Sequence, residues 1–443
     1  MAKTKAERLA KIHADALKEF DQIQAAQRDE RLQCLKDRRF YSIAGAQWEG
    51  PLGEQFENKP KFEVNKIHLS VIRIFNEYRN NRITVDFTPK DGSKADQLSD
   101  TCNGLYRADE QDSWAQEAYD NAFEEAVGGG IGAWRLRTAY EDDEDPEDER
   151  QRIRIEPIFD ADSCVFFDLG AKRQDKSDAK RGFVLTSMTP EAYQEEYDDD
   201  PASWPKDIHQ HEFDWSTPDA VYIAELYDDG LGERLAATGY RKGREKRLKV
   251  KRVHKYLMSG SKILEDCGYI AGKCIPIVVT FGKRWFVDNV ERCMGHVRLA
   301  TDAQRLKNMQ LSKLGEISAL SSVEKPILTP EQVAGHQLMW AEDNVKNYPY
   351  LLLNPITDAN GQQMVGGPVA YTKPPQLPPA MAALLQITEQ DMQDLLGNQQ
   401  AGEELQANVS GKAVELNQNK LDMQTYIYMS NRSTAVTRSG EIW

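Results

Sequence analysis

The sequence lacks the features that mark a membrane protein, an exported protein or a cysteine-stapled domain. It has no apolar run of the ~20 residues that span a bilayer, and its charged amino terminus has no apolar signal core. Its six cysteines are scattered and include no Cys-x-x-Cys pair, so neither a disulfide framework nor a metal site is expected. These absences predict a chain that is made in the cytoplasm, keeps its thiols reduced and has no membrane partner.

Basic residues are outnumbered in the chain as a whole. The sequence has 56 Lys and Arg against 71 Asp and Glu, which gives a net charge of −15. A protein that grips DNA statically gains affinity from a cationic surface, because binding releases counterions from the phosphates. This acidic chain is therefore poorly suited to tight, non-specific binding of duplex DNA.

The familiar catalytic motifs are missing as well. There is no Gly-x-Ser-x-Gly elbow and no His-Glu-x-x-His, and the glycine run at 128–132 lacks the Lys-Ser/Thr of a phosphate-binding loop. The sequence therefore predicts no enzyme and no cofactor. A carboxylate cluster that assembles only on folding stays open, so a metal-dependent nuclease remains an alternative.

What is present is a long chain with a globular composition. Its 443 residues exceed one ordinary core, and 40% of them are hydrophobic, which predicts two or more folded domains. The amino-terminal pattern predicts a long amphipathic helix over 3–40 and further helices over 64–78 and 94–127.

Alternating patterns then predict strands. The pairing of 134–140 with 153–157 across an acidic tip at 141–149 predicts a hairpin, and 83–88 is also β-prone. The basic stretch 241–255 is read as a surface or subunit-facing strand, with nucleic-acid binding as the alternative. Further strand candidates are 163–168, 181–187, 220–227, 249–258 and 275–281. Residues 60–285 are thus expected to form a mixed α/β body with antiparallel pairing.

The carboxyl-terminal third has a different character. A helical stripe begins near residue 287, a region rich in Pro and Gly follows, and 380–396 reads as an apolar helix. No Lys or Arg lies between Lys373 and Lys412, so every charged residue of this helix and of the polar loop after it is acidic. A last helical pattern begins at residue 411 and stops at Trp443 without a cap, which predicts a truncated chain.

Several segments, in their order and spacing, resemble the portal proteins of short-tailed, podovirus-type phages. The most specific lie in the carboxyl-terminal half, including Arg298–Leu314, Asn347–Tyr350 and Asn354–Gly361. Upstream, Asn80–Val85 and Asp160–Asp168 fit the same family. The resemblance covers nearly the whole chain.

The resemblance implies an α+β portal fold assembled as a ring, with a wing, a two-helix stem, a clip and a long wing helix. The implied boundaries are 1–285 for the wing, 286–322 for the first stem helix, 323–379 for the clip, 380–397 for the second stem helix, 398–410 for a tunnel loop and 411–443 for the wing helix. The family's crown and helical barrel are expected to be absent from this chain.

The implied function is that of a dodecamer at one capsid vertex. In the family such a ring is the channel for packaging and ejecting double-stranded DNA, and it docks terminase and tail adaptor proteins beside the major capsid and scaffolding proteins. It resides in the virion, after assembly in the host cytoplasm. Another head–tail adaptor is the second alternative, but adaptors are usually shorter and lack the stem–clip–stem order.

Two sets of residues follow as candidates. An acidic channel would repel phosphate and avoid position-fixing contacts with DNA. The candidate channel-lining residues are Glu389, Asp391, Asp394, Gln399, Gln400, Glu403, Glu404 and Asn408. The candidate docking residues in the clip are Trp340, Tyr348 and Tyr350.

Overall fold

The structure of the chain is a computed structural model, which describes most of its residues. The described residues are 5–89, 96–141, 150–201, 204, 213–237, 245–321, 326–342, 346, 349–357, 363–365, 367–371, 379–397 and 411–443. Within them, side chains are not described at 230–237, 245–250, 319–321, 357, 363–365 and 411–424.

The chain divides into two compact units. Unit 1 comprises residues 1–47, 65–302 and 392–443, and unit 2 comprises residues 48–64 and 303–391. Both contain helices and strands, so the α+β class expected from the sequence is confirmed. Among the described residues, no helix combines the length and the apolarity that crossing a bilayer requires.

Helices dominate the described residues. They are α1 Lys5–Ser42, α2 Pro51–Gln55, α3 Lys66–Asn80, α4 Asp96–Asp112, α5 Ala115–Gly128, α6 Ala161–Cys164, α7 Pro190–Tyr197, α8 Thr301–Ser321, α9 Pro330–Val333, α10 Gln337–Glu342, α11 Pro379–Leu396 and α12 Gly411–Ile442.

The strands are mostly antiparallel neighbours along the chain. They are β1 Ile131–Tyr140, β2 Gln151–Ile158, β3 Val165–Phe167, β4 Arg181–Met188, β5 Val221–Ala237, β6 Glu245–Met258, β7 Ile263–Tyr269, β8 Ile277–Phe281, β9 Lys283–Val287, β10 Val290–Met294, β11 Pro326–Ile327, β12 Ile356–Thr357, β13 Gln363–Val365 and β14 Ala370–Tyr371. Unit 1 holds a five-stranded sheet in the order β3-β4-β5-β6-β7, a three-stranded sheet in the order β2-β1-β8 and the β9–β10 hairpin.

Two aromatic clusters form much of the core of unit 1. On α1, the fully buried Phe20 meets Phe166, Phe183 and Trp215 with ring centroids 5.2, 5.4 and 5.3 Å away. The spacing of apolar residues in the amino-terminal helix is thus explained, because one face of α1 covers the five-stranded sheet.

The second cluster joins α4, α5, β1 and α12. The buried Trp134 of β1 donates its indole N–H to Ser439 Oγ on α12 at 3.3 Å, and Tyr106 of α4 donates to the same oxygen at 3.2 Å. Tyr119 of α5 packs edge-on against Trp134 at 5.3 Å. The carboxyl-terminal helix is therefore part of the core of unit 1.

Three expectations need correction. The helix predicted over 94–127 is broken into α4 and α5 at Trp114, which has a positive φ of 53° and is 79% exposed. Residues 83–88 form no strand, since side chains of α4 take the hydrogen bonds of Phe87 instead; Asn103 Oδ1 accepts from its N–H at 2.7 Å.

The helix predicted to begin near residue 287 starts later. Residues 283–294 form the β9–β10 hairpin, whose turn places Asp288 and Asn289 at φ of 51° and 64°. A short 3-10 turn follows, and α8 begins only at Thr301. The strands β7, β9 and β10 were not expected from the sequence, whereas the β1–β2 hairpin was and is confirmed.

Unit 2 contains most of α8 and α11 with a set of short elements between them. β11 pairs with β14 and β12 with β13, both antiparallel. The hairpin turn expected at 358–361 lies outside the described residues. The buried Gln332 holds this part together, because its amide donates to Gly367 O at 2.7 Å and accepts from Thr329 N at 3.1 Å.

Candidate functional site

The first candidate stem helix, α8, buries polar side chains rather than an apolar stripe. The buried polar residues on it are Gln304, Lys307, Asn308, Gln310 and Ser312. Burial of polar groups costs free energy unless each finds a partner, so the packing of α8 depends on hydrogen bonds.

One set of partners comes from the extended segment before α3. Phe62 N donates to Ser312 Oγ at 2.9 Å and Val64 N donates to Asn308 Oδ1 at 3.2 Å. In return, Gln304 Nε2 donates to Val64 O at 2.6 Å. Side chains of α8 thus supply hydrogen-bond partners for the backbone of this segment.

The other set of partners lies on α11. Gln310 Nε2 donates to Thr388 Oγ1 at 3.1 Å, and the ammonium of Lys307 binds the carboxylate of Glu389. Thr388 in turn donates to Leu384 O at 2.8 Å within its own helix. These contacts fix which side of α11 faces α8.

The acidic residues of α11 consequently lie on different sides of the helix. Glu389 is partly buried toward α8, whereas Asp391 and Asp394 are exposed. An α-helix turns about 100° per residue, so Asp391 lies about 200° from Glu389, and Asp394 is near Asp391 on the same side. The exposed side also carries apolar residues, among them Leu384 at 42% and Ile387 at 55% exposure.

The carboxyl end of α11, from Met392 onward, belongs to unit 1 and is held there by side chains of α3. Arg73 Nη2 donates to Leu396 O at 3.4 Å and to Gly397 O at 3.3 Å, and Ser70 Oγ donates to Leu396 O at 3.3 Å. A cation is favourable here because the last carbonyls of a helix carry partial negative charge. Gly397 ends the helix with a φ of 65°, the left-handed conformation common at this position.

A histidine completes this cap. His296 Nε2 lies 3.0 Å from Ser70 Oγ. Burial, with the positive charge of Arg73 nearby, lowers the pKa of His296 to about 4. The helix end that precedes residue 398 is therefore fixed by a neutral imidazole and a guanidinium.

The remaining loop candidates cannot be placed on this geometry. Gln399, Gln400, Glu403, Glu404 and Asn408 lie outside the described residues. So does Tyr348, one of the three docking candidates.

The other two docking candidates differ in their exposure. Trp340 is partly buried and donates its indole N–H to Leu352 O at 3.0 Å, so it helps to hold the fold of unit 2. Tyr350 is 70% exposed, as is Leu338 at 79%. Of these residues, Tyr350 and Leu338 offer apolar surface to a partner.

A thiol cluster in unit 1 was not predicted from the cysteine spacing. Cys34 Sγ on α1 lies 3.7 Å from Cys293 Sγ on β10, and a carboxylate oxygen of Glu30 lies within 4.8 Å of both sulfurs. Such a triad has donor types suited to a soft divalent ion. Arg292 and Arg298 already bind the two oxygens of Glu30, at 3.0 and 2.6 Å, which opposes the approach of a cation.

Comparison with known proteins agrees with the resemblance seen in the sequence. A family model described as "Phage P22-like portal protein" matches residues 17–443. A curated protein named "Portal protein", from Acyrthosiphon pisum secondary endosymbiont phage 1, is 37% identical over 473 aligned residues. That alignment covers 99% of this chain and 66% of the relative.

The class indicated by both comparisons is that of the phage portal proteins. The chain belongs to the P22-like portal protein family. It spans just under two thirds of the length of this curated relative.

Proposed function

We propose that the chain is the subunit of a dodecameric portal ring at one capsid vertex, serving as the head-to-tail connector and as the channel for packaging and ejection of double-stranded DNA. The observation that carries the proposal is the family match over residues 17–443. The chain covers 66% of the relative's length, so every role of the complete protein is part of this proposal.

In this proposal α8 and α11 are the two stem helices, with bounds of 301–321 and 379–396 in place of the sequence-based ones. The short elements between them form the clip, α12 is the wing helix, and residues up to about 300 form the wing. The polar contacts of Lys307 and Gln310 support this assignment, because they set a defined angle between α8 and α11 in every subunit.

The channel wall is proposed to include Asp391 and Asp394. Both carboxylates are exposed on one side of α11, and the segment around them has no cation between Lys373 and Lys412. Such a surface repels phosphate and lets duplex DNA pass with little friction. Glu389 acts instead as an internal link between the two helices. The loop residues Gln399, Gln400, Glu403, Glu404 and Asn408 stay candidates for the same wall.

The partners are those expected of a portal. Terminase and tail adaptor proteins would dock on the clip, where Tyr350 is exposed and Tyr348 and Trp340 are the other candidates, and major capsid and scaffolding proteins would contact the wing. The protein would reside in the virion after assembly in the host cytoplasm. Its role is structural, without chemistry of its own.

Family membership does not favour a nuclease or a shorter head–tail adaptor. The nuclease is tested directly by incubating linear duplex DNA with the purified chain and Mg²⁺ or Mn²⁺. Intact DNA is the expected result, and metal-dependent cleavage that purifies with the chain would reinstate the enzyme.

The ring itself is tested by electron-microscope class averaging of the purified chain. Twelve-fold rings with a central hole are the expected result. If this chain and a longer version of it both remained monomeric, the result would contradict the proposal.

A further inference from the structure

The β5–β6 hairpin of unit 1 continues beyond the five-stranded sheet that contains it. β4 pairs with β5 only as far as Asp228, and β7 pairs with β6 only from His254 onward. β5 and β6 go on pairing with each other over nine further register positions, residues 229–237 with 245–253. This outer part of the hairpin, the arm, is about 27 Å long at roughly 3.4 Å per residue.

The arm has two open edges. Among the described residues, no further strand pairs with either side of it. A two-stranded hairpin alone is marginally stable in water, so a surface that covers the arm would stabilise it. Lysines along an open edge discourage the addition of another strand. The arm is therefore suited to contact a partner through its side chains rather than through strand pairing.

The arm is a basic segment of an acidic chain. The chain has a net charge of −15, but the arm holds more cations than acids. Its cations are Arg234, Lys246, Arg247, Lys249, Lys251 and Arg252. Its acids are Asp229, Glu233 and Glu245, and Asp229 already binds Lys251 at 2.6 Å. The surplus of positive charge calls for an anionic partner surface.

Apolar residues alternate with these cations. In the register of the hairpin, Leu231 lies opposite Lys251 and Leu235 lies opposite Arg247. A phosphate backbone attracts the cations but offers the leucines no apolar partner. A protein surface offers both carboxylates and apolar groups. The composition of the arm therefore favours an acidic protein surface over a nucleic acid.

Such an acidic surface lies on the same unit of the chain. Residues 190–200, the acidic patch, comprise α7 and the three aspartates after it and include no Lys or Arg. The exposed carboxylates of the patch are those of Glu191, Glu195, Glu196, Asp198 and Asp200. Tyr193 on the other side of α7 is fully buried, so the helix is fixed on unit 1.

The arm and the acidic patch lie at opposite ends of the five-stranded sheet. α7 closely follows Met188, which pairs with Val221, the first residue of β5. The arm is the last part of β5, and the strand from Val221 to Ala237 spans about 54 Å at roughly 3.4 Å per residue. The arm therefore cannot reach the patch of its own copy. A contact between these two unlike surfaces has to join two copies head to tail, the kind of contact that closes into rings.

We propose that the arm of one copy docks on the acidic patch of the next copy. This inference rests on the proposed portal ring and adds which surfaces of neighbouring subunits meet. Opposite charges on the two surfaces speed the encounter and set the direction in which copies join. Exposed ion pairs contribute little singly, so the contact depends on several acting together and weakens as salt rises.

Sedimentation velocity of the full chain over a range of concentrations tests the contact. Lys246→Glu/Lys249→Glu on the arm and Glu195→Lys/Glu196→Lys on the patch each turn attraction into repulsion. Each should raise the concentration needed for half-assembly about tenfold or more. A 1:1 mixture of the two variants should assemble as well as wild type, because every negative arm then meets a positive patch and every positive arm a negative patch.

The control applies the same change of charge outside both surfaces. Lys36 on α1 and Lys283 on β9 are exposed, and Lys36→Glu/Lys283→Glu should assemble like wild type. Recovery in the mixture identifies a contact between copies, since two misfolded variants would not restore each other.

The outcomes separate this inference from the ring itself. Unchanged assembly of both variants, or a mixture that does not recover, would overturn the inference and leave the ring in place. A wild-type chain that never assembles would contradict the ring and the inference together. Loss of duplex binding, measured by fluorescence anisotropy, in an arm variant that still assembles would assign the arm to nucleic acid and overturn the docking proposal.

Discussion

Lys307 on α8 binds the carboxylate of Glu389 on α11, although 81 residues of chain separate them in the sequence. The lysine is 7% exposed, and the carboxylate of Glu389 compensates its charge in these partly buried surroundings. The pair gives Glu389 a partner within the subunit. Asp391 and Asp394, on the other side of the same helix, are exposed.

Replacement of Lys307 by Met should destabilise the helix pair. The change removes the cation that the partly buried carboxylate of Glu389 binds, and the free energy of unfolding should fall by about 1–3 kcal/mol. Urea denaturation followed by circular dichroism measures the loss. Asp391→Asn is the control and should stay within about 0.5 kcal/mol of wild type.

A double-mutant cycle separates the ion pair from general packing. The Lys307→Met/Glu389→Met double variant should lose less stability than the sum of the two single changes, because it removes both charges together. Additive losses would show that the two side chains do not interact.

Charge reversal at Asp391 and Asp394 should convert a repelling surface into one that retains DNA. The Asp391→Lys/Asp394→Lys variant changes the local charge by four units, and duplex binding should strengthen at low salt and weaken as salt rises. Fluorescence anisotropy with a labelled duplex at several salt concentrations checks this.

The control applies the same change of charge elsewhere. Glu191 and Glu195 are exposed on α7, one turn apart, and Glu191→Lys/Glu195→Lys carries the same total charge. Equal gains in DNA binding by both double variants would show that only net charge matters and not the position on α11.

His296 should make stability depend on pH. Its pKa is lowered to about 4 in the folded chain and returns near 6.5 on unfolding, so the unfolded state takes up the proton first. The stabilisation is complete above pH 6.5 and is lost as pH falls toward 4, by up to about 3 kcal/mol. His296→Gln should reduce this slope, whereas parallel curves for wild type and variant would contradict the account.

Cys34 and Cys293 should form a disulfide under mild oxidation. Their sulfurs are 3.7 Å apart, and a hydrogen bond from the Cys293 thiol, together with the positive charge of Arg298, favours the thiolate of Cys34 and lowers its pKa. Diamide accepts the two electrons and two protons released, and the native chain should then lose two titratable thiols. Peptide mapping should find α1 linked to β10, and Cys34→Ser should abolish the link.

Zinc is the competing outcome at the same thiols. If the native chain purified with one tightly held zinc ion per subunit and resisted diamide until chelated, the triad with Glu30 would be a metal site. The arginines bound to Glu30 predict instead that diamide reacts without chelation.

Periodic patterns were sufficient to predict the long elements. The apolar spacing around Phe20 predicted α1, and alternation on either side of the acidic tip predicted the β1–β2 pairing. These elements bury one continuous face, so the period of the sequence reports directly on packing.

Local backbone conformation was harder to predict from the sequence. The turn between β9 and β10 depends on Asp288 and Asn289 in the left-handed region, which Asp and Asn tolerate better than other side chains. That dipeptide between Val287 and Val290 was the signal of a hairpin, but it carries no glycine. The break at Trp114 had no signal, because nothing in the sequence marks a tryptophan for a positive φ.

For the candidate site residues as well, features set by local spacing could be predicted from the sequence, whereas tertiary contacts could not. The opposite placement of Glu389 and Asp391 follows from their spacing of two residues on a helix. The partner of Glu389 could not be inferred, since Lys307 approaches it only through tertiary packing.

A cryo-electron microscopy reconstruction of the assembled ring tests the central claim most directly. The account predicts a ring of twelve subunits in which the carboxylates of Asp391 and Asp394 line the central channel and Lys307 and Glu389 remain paired within each subunit. A ring whose channel is lined by another part of the chain, with Asp391 and Asp394 on its outer surface, would contradict the account.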